Sequence, residues 1–276
     1  MSNASPERRN GQSAKTKLIA AVPTRFQMAL RYWYRRAWHR LDPELRLAAS
    51  LVRPGAVCID IGANTGVYTY ALARAGATVH AFEPQPGCAA AIRAFGSRRI
   101  VVHELALSDT PGALVLYVPL KPAGPETGEA SLAPPTGPYA TLDVEVARLD
   151  DLGVGPVSFV KIDVEGHEDR VIRGARETLR RDRPLIVCEI EQRHRSTPIR
   201  ECLESFCGLG YRGYFFWEGR LRPVDRFRAE VHQIGAHRVA RPRAYVNNFI
   251  FAHTDDARAG ALEALVSDQG ARARER

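Results

Sequence analysis

A short segment rich in glycine and polar residues follows an apolar run near residue 60. It reads DIGANTG, and it places Asp60, Gly62, Asn64 and Gly66 between a predicted buried strand and the helix after it. Glycines at such a turn let the backbone bend sharply and approach a ligand, because no Cβ stands in the way. Exposed N–H groups at a helix start suit a negatively charged or polar group. The segment is therefore predicted to bind a ligand.

The spacing of the glycines distinguishes between two kinds of ligand. A dinucleotide fingerprint reads G-x-G-x-x-G, and G-A-N-T-G does not have that spacing. Asp60 stands in place of the first glycine, where its carboxylate would repel a pyrophosphate. The same carboxylate suits the ammonium of a methionine moiety. The segment therefore favours S-adenosylmethionine over a nicotinamide cofactor.

Acidic residues also follow the next two predicted strands. Glu83 ends the second strand, where an acidic side chain in such a fold accepts hydrogen bonds from ribose hydroxyls. Taken alone, an acidic residue at a strand end is often a helix cap. Asp109, in LALSDTPG after the third strand, would be placed to accept from an adenine amino group. A turn-forming role for Asp109 before Pro111-Gly112 is nearly as well supported.

A second polar motif, FVKIDVEGHE at residues 159–168, ends another predicted strand. It gathers Lys161, Asp163, Glu165, His167 and Glu168 around one strand end. Packing does not explain so many ionisable residues beside an apolar strand, because unpaired buried charge is costly. The motif therefore indicates a functional site.

Together these motifs resemble the FkbM family of methyltransferases. The matching segments are, in order, IDIGANTGVYT, AFEPQP, LALSD, VKIDVEGHEDRVIRGA and IVCEIE. The resemblance runs from about Pro54 to Glu191, and less clearly to Phe251. It implies a class I methyltransferase fold, a Rossmann-like α/β architecture with a doubly wound, mainly parallel seven-stranded sheet whose last strand is antiparallel. It also implies S-adenosylmethionine as cofactor and methyl transfer to a hydroxyl, often of a sugar, polyketide or other secondary metabolite.

The same resemblance assigns cofactor residues but not the acceptor. By analogy the cofactor is held by Asp60, Gly62, Ala63, Asn64, Gly66 and Glu83, with Asp109 as an additional candidate. The Pro/Gly-rich loop from Lys121 to Pro138 has no matching family pattern. The acceptor is therefore expected only as a small molecule or glycan that carries a hydroxyl.

Methyl transfer to a hydroxyl needs alignment and the loss of one proton. The sulfonium methyl is already activated, so the protein mainly aligns the acceptor and excludes water, and a nearby base assists. Asp163, Glu165 and His167 are the candidate bases, and Glu189 or His194 at the next strand end would reach the same place. For Asp163 a functional role in the site is favoured over a purely structural role. His167 ranks below it despite its suitable ordinary pKa, because a histidine at a helix start is often a solvated cap. No metal is predicted, although these carboxylates would accommodate one.

The order of predicted elements agrees with this fold. Apolar strands alternate with helices, which predicts parallel βαβ units whose ligands bind beyond the carboxyl ends of the strands. The main predicted strands are 56–62, 77–83, 100–105, 157–164, 184–191, 211–217 and 244–252. Two extra strands, Leu114 to Val118 and Val144 to Val146, flank the Pro/Gly-rich loop.

The 276 residues suffice for one large α/β domain. The predicted division is a disordered tail at 1–15, a basic aromatic helical segment at 16–53, the methyltransferase domain at 54–256 and a C-terminal tail at 257–276. No apolar stretch has the length of a membrane span, and no signal peptide is evident, so a cytoplasmic location is expected. The five cysteines lack a CxxC pair, which argues against a zinc site or a disulfide framework.

A net charge of +8 favours anionic partners. One basic cluster, in the segment RFQMALRYWYRRAWHR, includes Arg25, Arg31, Arg35, Arg36 and Arg40; the other comprises Arg238, Arg241 and Arg243. The first is interpreted as a helix that packs its aromatic face on the domain while its arginines face water. A helix on an anionic membrane surface is the open alternative.

Two other functions remain as alternatives. A nucleic-acid methyltransferase would fit the charge, but no NPPY or DPPY motif for a flipped base is present, so no nucleic acid is expected as partner. A non-catalytic protein that docks on membranes or glycans would fit the basic segment, but the intact DIGANTG and KIDVEG motifs argue against a decayed site.

Overall fold

The computed structural model describes residues 19, 21–38, 41–121, 124–125, 127–132, 134–234 and 245–274, with the backbone alone at 124–125 and 268–274. The predicted disordered tail at 1–15, Arg40 and the basic cluster Arg238, Arg241 and Arg243 lie outside the described residues.

Apolar runs between turn residues form strands in the described part of the chain. The strands are β1 (Val57–Ile61), β2 (Thr78–Phe82), β3 (Ile100–His103), β4 (Ala106–Leu107), β5 (Gly112–Lys121), β6 (Gly124–Pro125), β7 (Tyr139–Ala147), β8 (Val157–Ile162), β9 (Leu185–Glu189), β10 (Tyr211–Trp217), β11 (Arg220–Pro223) and β12 (Asn248–His253).

The main sheet has the strand order β11-β10-β12-β9-β8-β1-β2-β3. Strands β1, β2, β3, β8 and β9 pair in parallel, and β12 is antiparallel to both β9 and β10. The predicted mainly parallel sheet with an antiparallel last strand is confirmed. The sheet has an eighth strand, β11, because the Glu218-Gly219 turn folds it back antiparallel onto β10.

Helices cover both faces of this sheet. They are α1 (Thr24–Ala37), α2 (Pro43–Leu51), α3 (Val67–Arg74), α4 (Pro86–Arg93), α5 (Glu168–Gly174), α6 (Arg176–Asp182), α7 (Ile199–Cys207), α8 (Ala229–His232) and α9 (Ala257–Arg274). Residues of the central strands point alternately to the two layers: Ile59 and Ile61 pack toward α5, α6 and α7, whereas Cys58 packs toward α1, α2 and α3. No described helix is long and apolar enough to cross a bilayer.

A second, smaller sheet has the order β4-β7-β5-β6. The two predicted extra strands are confirmed and longer than expected, since β5 and β7 pair antiparallel from Gly112↔Val146 to Pro119↔Tyr139. The Pro/Gly-rich loop between them contains a 3-10 turn at Thr127–Glu129. The hairpin thus carries this turn toward the carboxyl ends of the main strands.

Helix α1 packs on the domain, as its preferred interpretation required, but through another face. The buried residues are Met28 and Tyr32, and the Tyr32 ring lies 5.1 Å from that of Tyr70 on α3. Phe26 and Trp33 are instead 50% and 42% exposed. Met28 takes the inner position because it fits against Gly66, where a Cβ would lie 2.4 Å from its sulfur.

Candidate functional site

Two adjoining cavities open where β1, β2, β8 and β9 end. An apolar cavity is walled by Phe82, Leu107, Leu116 and Leu132 beside Glu83. A polar cavity of about 370 Å³ is lined by charged and amide side chains, among them Asp60, Lys161, Glu189 and Asn248. Both are lined by Gly62, Asn64, Thr127, Gly128, Asp163 and Glu165. These six residues therefore form the junction of the two cavities.

The glycine turn at this junction is tightly packed. Gly62 has φ +74°, and a Cβ there would lie 1.8 Å from the backbone oxygen of Asp163. Gly66, at φ +78°, precedes the first residue of α3. The N–H groups of Gly62 and Ala63 both donate to the Phe82 carbonyl, at 2.9 and 3.1 Å. Strand β2 therefore engages these two N–H groups, which precede the helix start where exposed N–H groups were expected.

Glu83 is buried and held in one orientation. Its Oε2 accepts from the Asn64 N–H at 2.6 Å, and its Oε1 accepts from the Gln85 N–H at 2.9 Å. Burial raises the pKa of Glu83 to about 7, although both N–H groups act to lower it. Since each carboxylate oxygen has a second lone pair, the side chain can still accept from a ligand in the apolar cavity.

Asp60 lies at the floor of the polar cavity. Its Oδ2 accepts a hydrogen bond from Thr69 Oγ1 on α3 at 2.5 Å. Burial raises the pKa of Asp60 to about 6. Asp60 pairs with Lys161 across β1 and β8, so the two side chains project from the same face of the sheet.

Lys161 is a fully buried cation between carboxylates. Its Nζ donates to Asn248 Oδ1 at 3.0 Å and lies 3.8 Å from Asp163 Oδ2 and 3.9 Å from Glu189 Oε2. Burial acts to lower the pKa of Lys161, but the charges of Asp163 and Glu189 outweigh it and raise the pKa. Burial also raises the pKa of Glu189 well above its usual range. Asn248 was not predicted as a site residue, although two adjacent amides within the apolar run AYVNNFIFA could have indicated it.

The candidate bases differ in their partners. Glu165 Oε2 lies 2.8 Å from His194 Nε2, and the nearby carboxylate raises the pKa of His194. His167 Nε2 lies 2.9 Å from Ser108 Oγ, and burial lowers the pKa of His167 to about 4. Asp163 lies at the junction, with its side chain 34% exposed. The structure thus leaves Asp163 the best placed of these residues to meet a molecule that enters the cavities.

Asp109 does not join the other predicted cofactor residues. Its carboxylate accepts from Arg173 Nε at 2.9 Å and Arg170 Nη1 at 3.3 Å, and it lines neither cavity. Partial burial acts to raise the pKa of Asp109, but the hydrogen bond and charge of Arg173 outweigh it and lower the pKa. The structure therefore does not bring Asp109 together with the other predicted cofactor residues, because α5 brings two arginines to this side chain, and the adenine contact stays a prediction.

The Pro/Gly-rich loop closes over the junction. Gln85 Nε2 donates to the Thr127 carbonyl at 3.0 Å, and Ser131 Oγ donates to the Glu165 carbonyl at 3.0 Å. Thr127 and Gly128 line both cavities as a result. No functional role was predicted for this loop from the sequence.

Carboxylates cluster in the polar cavity in a way that resembles a cation site. Oxygens of Asp163, Glu165 and Glu189 lie within 4.8 Å of one another. The ammonium of Lys161 already supplies a positive charge beside two of them. That no metal is needed stays a prediction.

Comparisons with known proteins agree with these motifs. A profile of the Methyltransferase FkbM domain family matches residues 60–212. The sequence is 30% identical over 225 residues to the 31-O-demethyl-FK506 methyltransferase FkbM of Streptomyces tacrolimicus, a match that covers 68% of this chain and 83% of that protein.

Two solved structures are among those that match this chain. The methyltransferase FkbM from Methylobacillus flagellatus matches with a TM-score of 0.46 and 16% identity over 86% of this chain, which spans 57% of that one. A putative methyltransferase from Streptococcus mutans in complex with SAH matches with a TM-score of 0.43 and 6% identity, covering 76% of this chain and 94% of that one.

Proposed function

The chain belongs to the FkbM methyltransferase family, and from this premise we propose that it transfers a methyl group from S-adenosylmethionine to a hydroxyl of a sugar, glycan or secondary metabolite. The observation that carries the proposal is the junction of two cavities at Asp163. One cavity would receive the donor's nucleoside, and the other would receive the donor's amino-acid end together with the acceptor. The name of the Streptomyces relative, which describes a 31-O-demethyl substrate, supports oxygen as the acceptor atom.

The residues present fit this cofactor. Apolar walls suit an adenine ring, and the oriented carboxylate of Glu83 suits ribose hydroxyls. The carboxylate of Asp60, in the polar cavity, suits the ammonium of the methionine moiety. When bound, S-adenosylmethionine supplies a methyl group already activated on a sulfonium.

The remaining chemistry falls to side chains of this protein. We assign Asp163 as the base that takes the hydroxyl proton, because it lies at the junction of the cavities. The buried ammonium of Lys161 forms an ion pair with Asp163 and donates a hydrogen bond to Asn248, so both contacts fix its position. Thr127 and Gly128 cover the junction and exclude water, which strengthens electrostatic interactions inside it.

Cofactor affinity is expected to fall as the pH is lowered. Binding needs Asp60 and Glu83 ionised, and burial raises their pKa values to about 6 and about 7. Below those values protons compete with the ligand, so affinity should fall by about tenfold per pH unit for each group that must ionise. Calorimetric titration with S-adenosylhomocysteine from about pH 8 to about pH 5 measures this. Constant affinity across that range would contradict both assignments, and Glu83→Gln should flatten part of the dependence.

The composition of the outer face of α1 supports an acceptor that is located at a membrane surface. Phe26, Trp33 and Trp38 are exposed, and Arg74 lies over the Trp33 ring at 4.7 Å. Aromatic rings combined with arginines are typical of helices that contact anionic lipid. We therefore include lipid-linked glycans among the proposed acceptors.

The proposed function is tested by transfer of a labelled methyl group. The protein is incubated with methyl-labelled S-adenosylmethionine and, separately, with the soluble and membrane fractions of a cell extract. We expect label in a methyl ether on a small molecule or glycan, and label in the membrane fraction would support the lipid-linked class. Label found in nucleic acid would contradict the proposal.

A further inference from the structure

The arginines of α1 divide into two groups. Arg31 and Arg35, one helical turn apart, are half-buried and line the polar cavity. Arg25 and Arg36 are exposed and lie over the rings of Phe26 and Trp33, at 4.8 and 5.8 Å. The sequence-based expectation that these arginines all face water is therefore wrong for Arg31 and Arg35.

Arg31 faces the cavity without a neutralising partner. Within the described part of the chain, no carboxylate lies at ion-pair distance from either Arg31 or Arg35. Burial lowers the pKa of Arg31, and the nearby charge of Arg35 lowers it further. The carboxylate of Asp42 lies in the neighbourhood of Arg35, because the charge of Arg35 acts to lower the pKa of Asp42. Two cations held together at a cavity wall would be stabilised by a bound anion.

The methionine moiety of the proposed cofactor brings such an anion into this cavity. Its ammonium has Asp60 available, but its carboxylate finds few donors at the glycine turn. The N–H groups of Gly62, Ala63 and Gly66 donate to backbone carbonyls, and that of Asn64 donates to Glu83. Lys161 is already surrounded by two carboxylates and an amide. Among the cations that line the cavity, Arg31 and Arg35 remain for the carboxylate.

We propose that Arg31, assisted by Arg35, binds the carboxylate of the methionine moiety of S-adenosylmethionine, so that α1 completes the cofactor site. This inference rests on the proposed function. The helix is held in place for the role, because Met28 packs against Gly66 too closely to admit a Cβ between them. The i,i+4 spacing of the two arginines presents both guanidinium groups to one side of the helix.

The test compares two ligands that differ by the amino-acid end. S-adenosylhomocysteine carries the carboxylate, whereas 5′-methylthioadenosine has the nucleoside and sulfur without it. In calorimetric titrations Arg31→Gln should lower the affinity for S-adenosylhomocysteine by about 10- to 100-fold, as expected for a lost charged hydrogen bond. Arg35→Gln should weaken it less. Neither variant should change the affinity for 5′-methylthioadenosine by more than about twofold.

Arg36→Gln is the matched control, since it removes an exposed arginine of the same helix. It should leave both affinities unchanged. Unchanged affinity of Arg31→Gln for S-adenosylhomocysteine would overturn the inference. Equal weakening of both ligands would also overturn it, since Arg31 would then act through the fold. Failure of the unaltered protein to bind either ligand would instead reject the proposed cofactor.

Discussion

Replacing Asp163 with asparagine is expected to lower turnover by about 10²- to 10⁴-fold, the usual contribution of a general base. The amide keeps the shape of the side chain but cannot take the hydroxyl proton. Affinity for S-adenosylhomocysteine should stay within about threefold of the original, because the cofactor's ammonium and ribose are assigned to Asp60 and Glu83. Single-turnover methyl transfer, measured beside calorimetric titration, separates the two effects.

The control for this variant is Asp143→Asn. Asp143 is exposed on β7 and lines neither cavity, so its replacement should change neither turnover nor binding. The Asp163 variant should unfold at a lower temperature than the original protein, because buried Lys161 loses one of its two carboxylates, so turnover is measured below both unfolding temperatures. Retained turnover in Asp163→Asn would remove the base assignment and would make Glu189, the half-buried carboxylate on the other side of Lys161, the next candidate.

Replacing Gly62 with alanine is expected to be the most disruptive single change at the site. Alanine at φ +74° is strained by about 1–2 kcal/mol. Its Cβ would also overlap the Asp163 carbonyl at 1.8 Å. Relieving that overlap means moving backbone, for which overpacking penalties of about 1–3 kcal/mol are typical. We expect a clearly lowered melting temperature and, in the protein that still folds, loss of detectable S-adenosylhomocysteine binding.

Gly219→Ala provides a close control. Gly219 has the same φ of +74°, in the turn between β10 and β11, but a Cβ there would meet nothing within 4 Å. Its replacement should show the conformational strain alone and leave binding intact. Equal melting temperatures and equal affinities for the two variants would show that the close contact between Gly62 and Asp163 matters neither for stability nor for binding.

Part of this site could be predicted because its signals are local. Asp60, Gly62 and Glu83 directly follow apolar strands, and parallel strands bring such ends together whatever lies elsewhere in the chain. Asp163 follows the same rule at the end of β8. The main sheet was predictable for the same reason, since strand and helix periods alternate along the chain.

The remaining features depend on distant partners. Asp109 stands after a strand as Glu83 does, yet Arg170 and Arg173 of a helix much later in the chain occupy its carboxylate. The inner positions of Arg31 and Arg35 follow from how Met28 fits Gly66, which no periodicity shows. Thr127 reaches the cavities only because β5 and β7 form a long hairpin.

The place of β12 in the sheet bears on when the protein becomes active during its synthesis. β12 lies between β9 and β10 and carries Asn248, the hydrogen-bond partner of buried Lys161. A ribosome must therefore make the chain at least as far as His253 before the sheet can close around this lysine. Chains still in translation would hold the glycine turn and the KIDVEG motif without a completed catalytic centre. Pairing over such sequence distances is also slow to form, so methyl transfer would begin only after β12 has been made and has joined the sheet.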